Sequence, residues 1–300
     1  MNHYTNFLQK LITIALPLLV LALVLGSRHR MAEAAAESAS DTSATLVLAS
    51  EIEWTPLNPA RGDASPQAGT LWGDRAGEKQ TGFLVKFADG FSSPPHIHNV
   101  TYRGVVLSGE VHNDDPDAEE MWMPSGSYWT QPAGEVHITS AKGEENIAYI
   151  EIENGPYLVW PPEQASDNGE RPVNVHASNV MWLDTKNNTW IRTDEGQGAE
   201  IAFLWGKPEK GETNGTLLRL PAGFEGKIRS EDASFKAVVI QGQPTVQLSG
   251  EKKSELLSPG SYLISGGDVE HHISSGEDKA SLLYLRTEGT FQVVPLGEEE

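Results

Sequence analysis

The chain has 300 residues, with 22 Lys plus Arg against 42 Asp plus Glu, a formal net charge of −20. That acid excess excludes a nucleic-acid backbone or an anionic membrane surface as the main partner. The absence of cysteine excludes disulfides, Cys-based zinc sites and a thiol nucleophile.

At the N-terminus, Met1–Lys10 is polar and the 17 residues Leu11–Ser27 carry no charge. Arg28 and Arg30 follow, then small residues that offer Ala32-x-Ala34 or Ala34-x-Ala36 for cleavage. Residues 1–36 therefore read as a secretory signal, with an uncleaved membrane anchor as the alternative. The expected location is outside the cytoplasm, periplasmic or secreted, and any membrane contact is expected through this segment alone.

Beyond it, strands are expected at Thr81–Phe87, Tyr102–Val111, Asn146–Ile152, Thr216–Leu220, Lys236–Leu248 and Ala280–Arg286, where β-branched, leucine and aromatic residues partly alternate with polar ones. The stretch from Pro161 to Pro172 is polar and rich in turn formers, as a linker would be. The chain also repeats itself. Leu71-Trp72-Gly73 recurs as Leu204-Trp205-Gly206, and at that shift of 133 ten of the 39 positions from 71 to 109 are identical. Gly126-Ser127-Tyr128 recurs as Gly260-Ser261-Tyr262 at 134, and His137-Ile138 as His272-Ile273 at 135. One order of features with a drift of two residues means duplication. The expected division is 43–160, a linker at 161–174, and 175–296.

In the first copy, Gly90 is followed after five residues by His96-Ile97-His98, then Tyr102 after three and Gly109 after six. Residues i and i+2 of a strand face the same way, so the two imidazoles project together, as metal ligands would. A second block runs Gly126, five residues, Pro132-Ala133-Gly134, two residues, His137.

These blocks resemble the paired motifs of the cupin superfamily, and the duplication resembles bicupins. The family pattern has Glu where this chain has Tyr102, and Asn where it has Ala141. The resemblance implies an all-β fold of two tandem cupin-type jelly-roll barrels behind the N-terminal signal or anchor helix. It also implies one divalent ion (Fe, Zn, Mn or Ni) held by His96, His98 and His137. Without the usual Glu the ligand set is neutral, which leaves the ion at its full charge and favours an anionic substrate or hydroxide. Tyr102 is then a candidate catalytic residue, as ligand, hydrogen-bond donor or general acid, with barrel packing as its ordinary alternative. Glu110 and Glu135 are near in sequence and are expected to be solvated.

In the second copy Arg229, Glu231 and Phe235 stand at the positions of His96, His98 and Tyr102. An arginine opposes cation binding, so this half is expected to be metal-free, with a structural, dimeric or regulatory role. His271 and His272 are expected in a turn with one side chain exposed. Trp72, Phe91, Trp122, Tyr128 and Trp129 are expected in the core. Asn99, Asn187 and Asn214 match a glycosylation pattern that is read as chance.

The function expected from the resemblance is a mononuclear metal-dependent oxygenase acting on a small organic substrate. A non-catalytic metal- or small-ligand-binding protein, such as a sensor of the cell envelope, is the alternative.

Overall fold

In the computed structural model, residues 44–191, 198–230 and 234–296 are described. The segment 1–36 read as a signal or anchor lies outside them, and so does Glu231. The described helices are four short 3-10 turns, none long and apolar enough to cross a membrane. Everything else that is regular is β-strand.

The first copy builds one sheet in the order Val173–Val175, Tyr128–Gln131, Tyr102–Asp114, Ile138–Asn154, Lys79–Phe87, Gln67–Trp72 and Thr55–Pro56. The short pair Ile97–His98 and Val159–Trp160 faces it. The second copy has a six-stranded sheet, Ala44–Val47, Tyr262–Ser265, Phe235–Gln241, Ser281–Glu288, Thr213–Leu220 and Glu200–Gly206. Its partner sheet has five strands, Ser254–Leu256, Thr245–Gln247, Glu270–Ser274, Glu225–Ser230 and Phe291–Pro295. These are jelly-roll-like sheet pairs, each closed over its own core. The expected strand Lys236–Leu248 is broken between Gln241 and Thr245, where Gly242 takes a left-handed φ of 80° and Pro244 cannot donate to a ladder.

Two strands cross between the copies. Ala44–Val47 opens the first division yet pairs with Tyr262–Ser265 of the second. Val173–Val175, where the expected linker meets the second division, pairs with Tyr128–Thr130 of the first. A 3-10 turn follows each crossing strand and is fixed the same way: Ala49 N–H donates to Ser261 Oγ at 2.9 Å, and Ala177 N–H to Ser127 Oγ at 3.0 Å. The exchange covers a sheet edge in each copy. It also takes up the end of the segment read as a linker.

Strand alternation explains why the central strands are apolar on both faces. Phe83, Val85 and Val106 point into the first copy's core, whereas Leu84 and Val105 between them point outward. The second copy does the same, with Leu218 and Val239 inward and Leu217 and Val238 outward. The outward sets meet in a third cluster shared by both copies, with Tyr149 and Tyr284 5.3 Å apart. Trp72 lies across Gly82, and Trp205 across Gly215. A Cβ at either glycine would collide with the indole, so neither position tolerates a side chain.

A charged network is buried at this junction. Tyr149 and Tyr284 donate to Glu151 at 2.9 and 2.7 Å. Arg286 lies 3.4 Å from Glu151, with side chains 3% and 1% exposed, and donates to Glu153 at 2.7 Å and to Gln80 at 2.8 Å. Cations of each copy sit on the other's tryptophan: Arg103 over Trp205 at 3.8 Å and Lys236 over Trp72 at 4.8 Å.

Removing one member of a buried ion pair strands the other, at about 3–5 kcal/mol. Arg286→Met should therefore destabilise the chain by about 3 kcal/mol or more in urea unfolding. Adding Glu151→Gln should recover part of that loss, because no uncompensated charge then remains at Glu151.

Candidate metal centre

His96 and His137 form an antiparallel bridge in which each backbone N–H donates to the other's carbonyl at 3.0 Å. The turn before His137 is held against the first block by Gly134 N–H, which donates to His98 O at 2.8 Å. Gly134 has a left-handed φ of 78°, and a Cβ there would run into Ser166, so only glycine fits this turn. Two distant stretches of sequence thereby bring three imidazoles together. Ring centroids are 5.1 Å apart for His96 and His98, 4.3 Å for His96 and His137, and 5.3 Å for His98 and His137. One ring nitrogen from each lies within 4.8 Å of the others.

The second nitrogen of every ring is already committed. His96 Nδ1 lies 3.0 Å from Pro94 O, His98 Nδ1 3.0 Å from Leu158 O, and His137 Nδ1 3.1 Å from Glu135 O. A carbonyl can only accept, so each Nδ1 carries its proton and each Nε2 presents a lone pair. Burial holds the imidazoles neutral. His98 is well below its ordinary pKa through burial and then through His137 and His96, and His137 is pushed down to about 3 by burial and His96. His96 is lowered by burial and, less strongly, by the charge of Arg61, which overcome the opposing Pro94 carbonyl. The Arg61 guanidinium lies over Phe91 at 5.8 Å.

Tyr102 belongs to this site. Its hydroxyl donates to Asn113 Oδ1 at 2.8 Å and lies 3.2 Å from His137 Nε2. Asn113 also accepts from Thr139 Oγ1 at 2.8 Å and donates to Gln131 Oε1 at 2.9 Å. Burial raises the Tyr102 phenol, so it stays protonated. One phenolic proton cannot serve both Asn113 and His137, which leaves an Nε2 lone pair for a cation. Three neutral nitrogens with fixed tautomers fit a divalent ion of the kind imidazole suits.

Motif spacing gives no sign of a second phenol, Tyr157. Its ring stacks on His98 at 4.3 Å and 21°, and its hydroxyl lies 3.1 Å from His98 Nε2. The strand Val159–Trp160 pairs with Ile97–His98 and carries Tyr157 there. Glu110 pairs with Lys142 at 2.9 Å at the surface, and among the described residues no carboxylate joins the three-histidine group.

The second copy differs in its chemistry. Arg229 is exposed and donates to Gln292 at 2.9 Å, and Phe235 fills the position of Tyr102. His271 and His272 lie on the strand Glu270–Ser274, not in a turn; His271 is buried and His272 exposed. His271 Nδ1 accepts from Ser249 N–H at 3.2 Å, so its Nε2–H goes to Ser265 Oγ at 2.6 Å. That is the opposite tautomer to the first copy's, and it offers no lone pair to a metal. Asp268 adopts a left-handed φ of 58° where the first copy has Gly134. Trp122 also departs from expectation: it is half-exposed, bonded to Glu120 and covered by Lys142 at 4.2 Å.

Asn113→Ala would strip Thr139 and Gln131 of their Asn113 bonds and leave the Tyr102 hydroxyl with His137 Nε2 as its one remaining acceptor. It should cost about 2 kcal/mol in denaturant unfolding.

The model of a family described as a domain of unknown function (DUF4437) matches residues 45–294. No functionally curated protein matches the chain in sequence. Among solved structures, a proposed dioxygenase from Nostoc punctiforme superposes with a TM-score of 0.61 at 14% identity, covering 86% of this chain and 88% of that one. Salicylate 1,2-dioxygenase from Pseudaminobacter salicylatoxidans gives 0.52 at 13%, covering 87% and 90%. Hazelnut (Corylus avellana) vicilin gives 0.54 at 10%, covering 84% and 88%. The fold is that of the cupins, in the duplicated bicupin arrangement. At these identities the likeness shows the fold alone, and the fold hosts unlike functions.

Proposed function

This chain belongs to the family described as a domain of unknown function (DUF4437), and since that assignment carries no activity, we propose one from the site: a mononuclear metal-dependent oxygenase for a small organic substrate. The observation that carries the proposal is the convergence of three imidazoles, one ring nitrogen of each within 4.8 Å of the others, with every Nδ1 set against a backbone carbonyl. His96, His98 and His137 would hold one divalent ion, Fe, Zn, Mn or Ni. When bound, an ion with three neutral ligands supplies Lewis acidity, and redox chemistry if it is iron, with positions open to substrate.

The chain's own groups prepare that position. The carbonyl partners fix the ring tautomers, and the Asn113 network holds Tyr102 against His137. Arg61 adds positive charge near His96 in a chain whose net charge is −20, which favours an anionic substrate. The dioxygenases among the similar structures agree with oxygenase chemistry. A second reading, a non-catalytic metal- or ligand-binding protein, is favoured by the lack of a carboxylate base in the group among the described residues. Export, periplasmic or secreted, is part of the proposal and rests on the composition of residues 1–36 alone.

Anaerobic reconstitution with Fe, Mn, Ni or Zn should load about one ion per chain, and His98→Ala or His137→Ala should abolish loading. Oxygen uptake should then appear with one of the diketones, thiols or phenols and disappear in His98→Ala. Loading without uptake on any of them would favour the binding-protein reading. Absence of loading would end both.

A further inference from the structure

We propose that Tyr157 supplies the hydrogen-bond donor that addresses whatever ligand occupies the open metal position, while Tyr102 acts as a positioning residue for His137. This rests on the reading of the three histidines as metal ligands.

The two phenols are placed alike but partnered differently. Tyr102 has a second acceptor in place, Asn113 Oδ1 at 2.8 Å, which keeps its proton when a cation takes His137 Nε2. The Tyr157 hydroxyl has His98 Nε2 as its sole hydrogen-bonding partner among the described residues. A cation on that nitrogen displaces the bond and leaves an O–H at the site with no protein acceptor. A partly buried donor left so is costly unless a ligand takes it.

Its place does not depend on that bond. The ring is stacked on His98 and meets Phe83 edge-on at 5.2 Å and Tyr102 at 5.8 Å. Tyr157 N–H donates to Arg75 O at 3.0 Å. Asn99 grips both flanks, donating to Pro156 O and accepting from Leu158 N–H, each at 2.8 Å. Leu158 O in turn holds His98 Nδ1 at 3.0 Å. The residue after the second motif histidine thus fixes the phenol, and one segment fixes both His98 and the donor. Such second-residue support is what preorganises a binding site.

The test is azide titration of the Co(II)-loaded full chain, followed by visible absorption, with cobalt content and thermal melting measured in parallel. Tyr157→Phe keeps the stack and loses only the donor. It should load cobalt as wild type does and bind azide about tenfold more weakly. Tyr102→Phe should change azide affinity by less than about twofold. Asn99→Ala, which releases the segment without touching the phenol, should weaken azide in the same direction as Tyr157→Phe. It gives the reading if Tyr157→Phe does not fold. Unchanged azide affinity in Tyr157→Phe, or an equal loss in Tyr102→Phe, would overturn the inference while leaving the metal site standing. A wild-type chain that takes up no cobalt would overturn the site and the inference together.

Discussion

A sheet edge presents backbone donors and acceptors that must be paired or covered. Here each copy's edge is covered by the strand that leads into the other, Ala44–Val47 on one side and Val173–Val175 on the other. Each half lends the other an edge strand, and residues from Ala44 onward form one unit. The exchange presses the outer faces of the central strands together and creates the buried surface around Tyr149, Tyr284 and the Glu151–Arg286 pair. That surface gives the second copy a structural task whether or not it binds a metal.

This dependence accounts for a set of repeated residues on the outer face. Leu71 and Leu204, Trp72 and Trp205, Leu84 and Leu217, Val105 and Val238, Tyr128 and Tyr262 are identical pairs, and all pack in the shared cluster. The inward residues of the metal site have diverged, with Arg229 for His96 and Phe235 for Tyr102. Even the paired positions that differ at the junction remain complementary: Glu151 in one copy meets its repeat counterpart Arg286 in the other. The five identical pairs share the outer cluster, and the three-histidine group belongs to one interior among the described residues.

The fold and the three histidines were legible because they depend on local spacing. Alternation puts His96 and His98 on one face, and the turn around Gly134 places His137 at a fixed distance along its own strand. Tyr157 was not legible, since its position follows from the pairing of Val159–Trp160 with Ile97–His98, a contact across about sixty residues that no periodicity encodes. The crossing strands were hidden for the same reason: Val173–Val175 is three residues at the end of a polar stretch, and its pairing is decided by an open edge elsewhere. His271 shows the converse error, in which a doubled histidine suggests a turn although Ser265 and Ser249 hold it in a buried strand. Trp122 failed because a large aromatic can be stabilised at the surface by Lys142 over its face.

The central claim is that one copy holds one ion through three histidines and the other copy holds none. X-ray absorption at the zinc edge of the reconstituted full chain tests it most directly. The account predicts one zinc per chain, with imidazole scattering from three nitrogens at about 2.0–2.1 Å and lighter ligands completing the set. Zinc without imidazole scattering, or two equivalent ions per chain, would contradict it.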